Sequence, residues 1–284
     1  MMPRISTPRS SNVRGFPSRR GSPGTSTVGL GGGQASSSRT CSSVPLTVEQ
    51  RGRALGHFRR FLRQRVVNLE RLTLADLTFN VVLLRANATM LELCDAETLL
   101  RYRLAQHVER GSVTAFGTTL QTISKDIAGH ATGVAGADIM LVRNNRRYYI
   151  QVKSGPHTAN RDIAQNIGAL LNSARARDPD AVCMFGVCYA RPDQISAIVK
   201  GQLQRAGVGL RVGREFWEFI SGDAECLNEL LGLAGEAAGE APPGEASFAE
   251  RVEQKLDSLV AEFSGRYGRT LDDQAWAFFL ADNS

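Results

Sequence analysis

The sequence predicts an α/β fold, with a mixed sheet at its core, flanking helices and a helical periphery at both ends of the chain. Three observations point there. Apolar residues recur at three-to-four spacing between Thr47 and about Gly129, and again after residue 248. Two short apolar runs, 137–143 and 147–153, flank Asn144-Asn145 as the strands of a hairpin would. A helical stretch over about 158–177 then leads to the apolar run AVCMFGVCY at 181–189. That run suits a strand parallel to 147–153, reached by a right-handed crossover.

Residues 1–45 are rich in Ser, Gly, Arg and Pro, and a disordered tail is expected there. Three readings stay open for this acid-free leader: an organellar transit peptide, a solvated basic tail, or an upstream start of a shorter gene. From Thr47, Leu55, Phe58, Phe61, Leu62, Val66 and Leu69 form one face of a helix. Arg51, Arg53, Arg59, Arg60, Arg63 and Arg65 fill much of the rest, as a track for DNA phosphates or as solvated surface. Further helices are expected over 73–86, from an Asp95 N-cap to a stop at Gly111, and over 116–128 up to Gly129. After the 181–189 strand come a short strand near 208–212, a helix opened by GREFWEFI, and a helix at 224–237. A Pro/Gly/Glu-rich linker at 238–247 precedes helices at 248–264 and 272–281. The expected organisation is a tail at 1–45, a central domain at 46–239, and an acidic helical extension at 240–284 packed on it.

The formal charge of +6 comes from 34 basic and 28 acidic residues. Six Arg and no acid lie in residues 1–45, so the remainder is neutral and the high pI alone does not argue for nucleic acid. That remainder is polarised: residues 46–221 hold 24 basic and 15 acidic residues, and residues 222–284 hold 4 and 13. A basic body beside an acidic segment fits a polyanion on one side, or ordinary solvated surface. The five Cys are scattered, with Cys183 and Cys188 expected on opposite faces of one strand, so reduced thiols in a cytoplasmic protein are expected. No apolar run reaches membrane-spanning length.

Most of the chemistry is concentrated in GADIMLVRNNRRYYIQVKSGP, Gly136 to Pro156. Strand alternation places Gln151 and Lys153 on one face and Ile150 and Val152 on the other. A two-residue turn at Asn144-Asn145 pairs Arg143 with Arg146 and sets Asp138 opposite Gln151. A carboxylate, an amide oxygen and an ammonium then converge. Asp138 would be the anionic ligand of a Mg²⁺, with the Gln151 side-chain oxygen and the Val152 carbonyl as neutral ligands. Lys153 would position the attacking water or stabilise developing charge in phosphodiester hydrolysis. The competing reading is an Asp138–Lys153 salt bridge with Gln151 simply solvated. Apolar flanks argue against it, because ionic groups in a central strand need a reason.

Asp138 followed by Gln151-Val152-Lys153 resembles the PD-(D/E)xK nuclease motif, with Gln in the acidic slot and Ala137 in place of the Pro. Together with FGTTLQTISK and VGREFWEFISGD, the region resembles type II restriction endonucleases of the group cutting GGNCC-containing sites, over about residues 47–284. The resemblance implies a restriction-endonuclease-like core, makes 46–239 the nuclease domain, and implies Mg²⁺-dependent cleavage of a short palindrome in double-stranded DNA; a structure-specific repair or junction nuclease with the same motif, or a catalytically inactive DNA-binding relative, is the alternative. It further implies a homodimer, a cognate DNA methyltransferase, no membrane association and a bacterial cytoplasmic setting. Similar nucleases are known to use Gln in the acidic slot. Gln121 occupies the place where many such enzymes carry a helix Glu, and a plain surface Gln is the other reading.

DNA contacts are expected from the basic turn, through Arg143, Asn144, Arg146 and Arg147, and from His157, Asn160 and Arg161 at the start of the crossover helix. Capping and surface roles are the alternatives for the latter three. Gly155 either lets a phosphate approach the backbone or serves only the chain reversal with Pro156. Phe216, Trp217 and Phe219 read as packing, and His57, His107 and His130 as isolated.

Overall fold

The computed structural model describes residues 46–129, 135–240 and 244–283. The tail expected at 1–45, His130 and residues 241–243 of the expected linker lie outside the described residues.

Helix α1 (Val48–Arg71) starts where the sequence predicts, with Thr47 and Gln50 each accepting the other's backbone N–H. The helix expected over 73–86 is instead a 3-10 turn, Leu74–Asp76, and a separate helix α2 (Val81–Met90). Side-chain acceptors divide it: Asp76 takes the Thr73 N–H at 2.8 Å and Asn80 takes the Leu83 N–H at 3.0 Å. Such local acceptors start new turns rather than extend old ones.

Asp95 caps the next helix as expected, accepting the Thr98 N–H at 2.8 Å. Helix α3 (Ala96–Ile127) then runs unbroken for 32 residues, through the stop expected at Gly111. Gly111 is exposed with open space around it, so it costs only the roughly 1 kcal/mol of a helical glycine. Packing on both halves exceeds that. Leu99, Leu100 and Leu104 belong to a helical core, while Leu120, Ile123 and Ile127 pack against the sheet.

The sheet contains β1 (Ile139–Arg143) and β2 (Arg146–Lys153), the two arms of the hairpin. Helix α4 (Arg161–Arg175) leads to β3 (Val182–Val187), and α5 (Ala197–Arg205) leads to β4 (Gly209–Val212). The order is β1-β2-β3-β4, antiparallel at the hairpin and parallel thereafter, as expected for the crossover. Asn144 and Asn145 take positive φ of 50° and 58°, which a two-residue hairpin turn demands and Asn tolerates. The crossover helix is shorter than expected because Pro156 opens a separate 3-10 turn, Pro156–Thr158, ahead of the Asn160 cap.

Helices α4 and α5 cover one sheet face, where Ile167, Leu171, Val199 and Leu203 join Tyr149, Cys183, Phe185 and Val187. The other face presents Ile139, Ile150, Val152 and Met184 to α1, α3, α6 (Arg214–Ser221) and α7 (Cys226–Gly239). Cys183 and Cys188 fall into different cores, and both are buried free thiols. Phe216 and Trp217 are buried in the second of these cores, as packing residues.

Helices α8 (Phe248–Tyr267) and α9 (Asp273–Asp282) close the helical core around Leu69, Leu84, Leu99 and Leu100 with Leu256, Leu259, Phe263 and Phe279. Their acids, with those of α7, meet the basic helices. Arg51 and Arg59 of α1 pair with Glu229 and Glu240, and Arg101 of α3 pairs with Glu253 at 2.7 Å. Arg53 pairs with Glu49, and Arg65 lies over the rings of Phe61 and Phe248. Arg51, Arg59 and Arg65 of α1 are thus turned to partners within the chain, while Arg60 and Arg63 are exposed. His57 is not isolated either: its Nε2 lies 2.7 Å from Asp126 Oδ2. Among the described residues, no helix is long and apolar enough to cross a membrane.

Candidate active site

Gln151, Val152 and Lys153 are the last three residues of β2, at the carboxyl edge of the three parallel strands. In open α/β sheets that edge is where ligands bind. Alternation buries Val152 in the core and leaves Gln151 and Lys153 half-buried on the other face.

Asp138 stands immediately before β1. The pairs Arg143↔Arg146 through Ile139↔Ile150 carry the register that the two-residue turn predicts. One step further the ladder bends. Asp138 donates its N–H to the Ile150 carbonyl at 2.8 Å, so both Asp138 and Ile139 address Ile150, as at a β-bulge. The Asp138 carboxylate then accepts the Val152 N–H through Oδ2 at 2.9 Å. The N–H and C=O of one extended residue point to the same strand edge, so the Val152 carbonyl faces the side on which Asp138 sits.

Gln151 donates its amide N–H to the Gly136 carbonyl at 2.9 Å. Gly136 is pressed against α4, where a Cβ would lie 2.7 Å from the Leu170 carbonyl oxygen, so only glycine fits. With its nitrogen committed, Gln151 has an Oε1 that accepts no hydrogen bond among the described residues. The Lys153 ammonium likewise has no hydrogen bond or ion pair among the described residues. The salt bridge weighed for Asp138 and Lys153 is absent. The partner of Asp138 is Lys125 of α3, with Nζ 3.4 Å from Oδ1.

Helix α3 crosses this strand end. A Cβ on Gly117 would lie 2.7 Å from the Ser154 hydroxyl oxygen, one residue past Lys153. Gln121 is one turn on and Lys125 another, so all three share a helix face. Cys188 donates its N–H to the Lys153 carbonyl at 2.9 Å. Burial pushes its thiol far above the ordinary range, and the nearby Asp138 charge adds to that shift. Cys188 is therefore a neutral wall of the site. No three His, Cys, Asp or Glu side chains gather to hold a metal among the described residues.

Residues 54–241 match the family model of type II restriction endonuclease EcoO109I. The chain belongs to that family. As a type II restriction endonuclease it binds DNA and is a site-specific deoxyribonuclease. The matched span runs from within α1 past α7 and includes all four strands, and α8 and α9 lie beyond it. None of the curated proteins matches the chain.

In this restriction endonuclease the hairpin turn and the strand end do not converge. Arg147 is six residues from Lys153 along β2, roughly 20 Å at about 3.3 Å per residue. Two of its arginines are also committed. Arg143 donates to the Phe219 carbonyl at 2.5 Å and lies over the Phe219 ring, and Arg147 donates to Asp178 at 2.5 Å. The Tyr149 hydroxyl and the Asp178 charge hold the Arg147 guanidinium pKa above its usual range. Arg146 and Asn144 remain exposed on the turn.

His157 and Arg161 are exposed at the site end, whereas Asn160 uses its side-chain oxygen to cap α4 through the Ile163 N–H at 2.9 Å. The space over Gly155 is filled by the Tyr189 ring, with a Cβ there only 2.5 Å from the ring carbon Cζ. Gly155 is therefore needed for the close approach of that ring. Sequence reasoning missed Lys125 and Tyr189. Lys125 closes the FGTTLQTISK segment four residues after Gln121, and that spacing was its one available signal.

Proposed function

We propose that this nuclease hydrolyses phosphodiester bonds at a short palindromic double-stranded site, with Asp138, Gln151 and Lys153 as its catalytic centre and Mg²⁺ as its cofactor. The observation that carries the reading is the Asp138–Val152 hydrogen bond. It draws a carboxylate to the strand end that carries the Val152 carbonyl, the Gln151 amide oxygen and the Lys153 ammonium, the last two without a side-chain partner for that atom among the described residues.

The donor set suits Mg²⁺, which takes oxygen ligands: one Asp138 carboxylate oxygen, Gln151 Oε1 and the Val152 carbonyl. Bound there, Mg²⁺ would supply a water of lowered pKa and neutralise phosphate charge. Gly136 orients Gln151, so that its oxygen rather than its nitrogen is presented. The Lys153 ammonium, with no partner to leave among the described residues, holds the attacking water or the charge developing on the phosphate. His157 and Arg161 contact the DNA backbone beside the cut, while Arg146 and Asn144 reach only a more distant stretch. A homodimer places one such centre on each strand of a two-fold site, and a methyltransferase of the same specificity protects the host DNA.

Plasmid DNA incubated with the purified protein and Mg²⁺ tests the reading, with the ends of the fragments sequenced. Discrete fragments sharing one short palindromic end are expected. Cutting confined to branched DNA, or binding without cutting in Mg²⁺ and Mn²⁺, would overturn it.

A further inference from the structure

We propose that Lys125 is a positioning residue that takes the cation's place at Asp138 in the free enzyme, so that the metal site opens fully only when DNA supplies a phosphate. The inference rests on the metal assignment proposed above. Asp138 has two oxygens. Oδ2 is held by the Val152 N–H, which leaves Oδ1 as the oxygen most available to a metal, and Oδ1 is the one Lys125 holds.

The charges at this strand end point the same way. One carboxylate, Asp138, stands at this strand end with two ammoniums, Lys125 and Lys153, while Gln151 and Gln121 bring only neutral oxygens. A divalent cation entering the free site meets a net positive charge. A DNA phosphate reverses that balance and offers Lys125 a second anion. The side chains of Lys125 and Asp138 are 35% and 30% exposed, so their pair can open without disturbing the core. Asp126, the residue after Lys125, is occupied by His57 at 2.7 Å. The adjoining end of α3 is pinned by Gln50, which donates to the Ile127 carbonyl at 3.0 Å. Lys125 is thus held where it can alternate between Asp138 and an incoming phosphate.

The test is Mn²⁺ binding to the full chain without DNA, read by electron paramagnetic resonance. Lys125→Met should bind Mn²⁺ about fivefold more tightly than the parent, the factor matching a partly exposed ion pair. Lys125→Arg, which keeps the charge, should bind as the parent does. Adding Asp138→Asn to Lys125→Met should abolish the gain. Thermal melting of each variant shows whether it is folded, and the Arg variant keeps the test open should the Met variant unfold.

If Lys125→Met gains nothing while Asp138→Asn still weakens Mn²⁺ binding, the proposal is overturned and the metal assignment stands. If Asp138→Asn changes nothing in any background, the metal assignment falls, and this inference with it. A second arm uses the cleavage-impaired Lys153→Ala background and a duplex carrying the sequence mapped from cleaved ends. That duplex should tighten Mn²⁺ binding more with Lys125 present than with it replaced, and equal tightening would contradict the coupling.

Discussion

Gly117 and Ser154 lie so close that a Cβ on residue 117 would sit 2.7 Å from the Ser154 hydroxyl oxygen. The contact sets the distance between α3 and the end of β2, and so the distance of Gln121 and Lys125 from Asp138. Gly117→Val adds a branched side chain where the hydroxyl already sits. It should cost about 1–3 kcal/mol by overpacking and reduce DNA cleavage in parallel. Urea melts and plasmid cleavage would measure both. A Val variant with parental stability and rate would show that the contact positions nothing.

Lys153→Ala should lower the cleavage rate by roughly 10²–10³-fold, the scale of losing one transition-state donor. The Lys153 ammonium has no partner among the described residues, so the melting temperature should stay unchanged, and gel retardation of DNA should persist. Cleavage at the parental rate would remove Lys153 from the site.

Gln151→Glu adds a carboxylate but removes the N–H that Gly136 accepts at 2.9 Å. Two opposed effects follow. Half-saturation should shift to lower Mn²⁺, because a second anion joins Asp138. Stability should fall by about 1–3 kcal/mol, because an ionised carboxylate cannot donate to the carbonyl it faces. Metal titration of binding and thermal melts separate the two, and an unchanged metal requirement would argue against Gln151 as a ligand.

Gly111→Ala should stabilise the protein by roughly 0.5–1 kcal/mol without changing cleavage. Gly111 is exposed in the interior of α3, and nothing lies within 4 Å of the added Cβ. Ten residues at about 1.5 Å each put it roughly 15 Å from Gln121. Destabilisation, seen as a lower urea midpoint, would mean that α3 bends or frays at this point.

The hairpin was legible because its information is local. Strand alternation, an Asn-Asn turn and apolar flanks set its register, and every pair from Arg143↔Arg146 to Ile139↔Ile150 follows from them. The crossover to β3 was legible for a similar reason, since a parallel neighbour needs a helix between the strands. What escaped the sequence depends on which elements cross. Nothing local tells Gly111 that its helix has a hydrophobic core at each end, or tells Lys125 that β1 begins beside it. The bend of the ladder at Asp138 was also hidden, because the pairing rule assumes a regular strand. The step past Ile139 is where regularity ends.

The ion pairs of α1 bear on how tightly this enzyme grips DNA in salt. Arg51 and Arg59 already have acid partners within the chain, as does Arg101 of α3. Compensated charges carry few condensed anions and displace few cations from a duplex. Each phosphate neutralised on binding adds about 0.9 to the slope of log affinity against log salt. The basic surplus of residues 46–221 therefore overstates that slope. The chain spends part of its arginine on its own acids, and those residues add little to that slope.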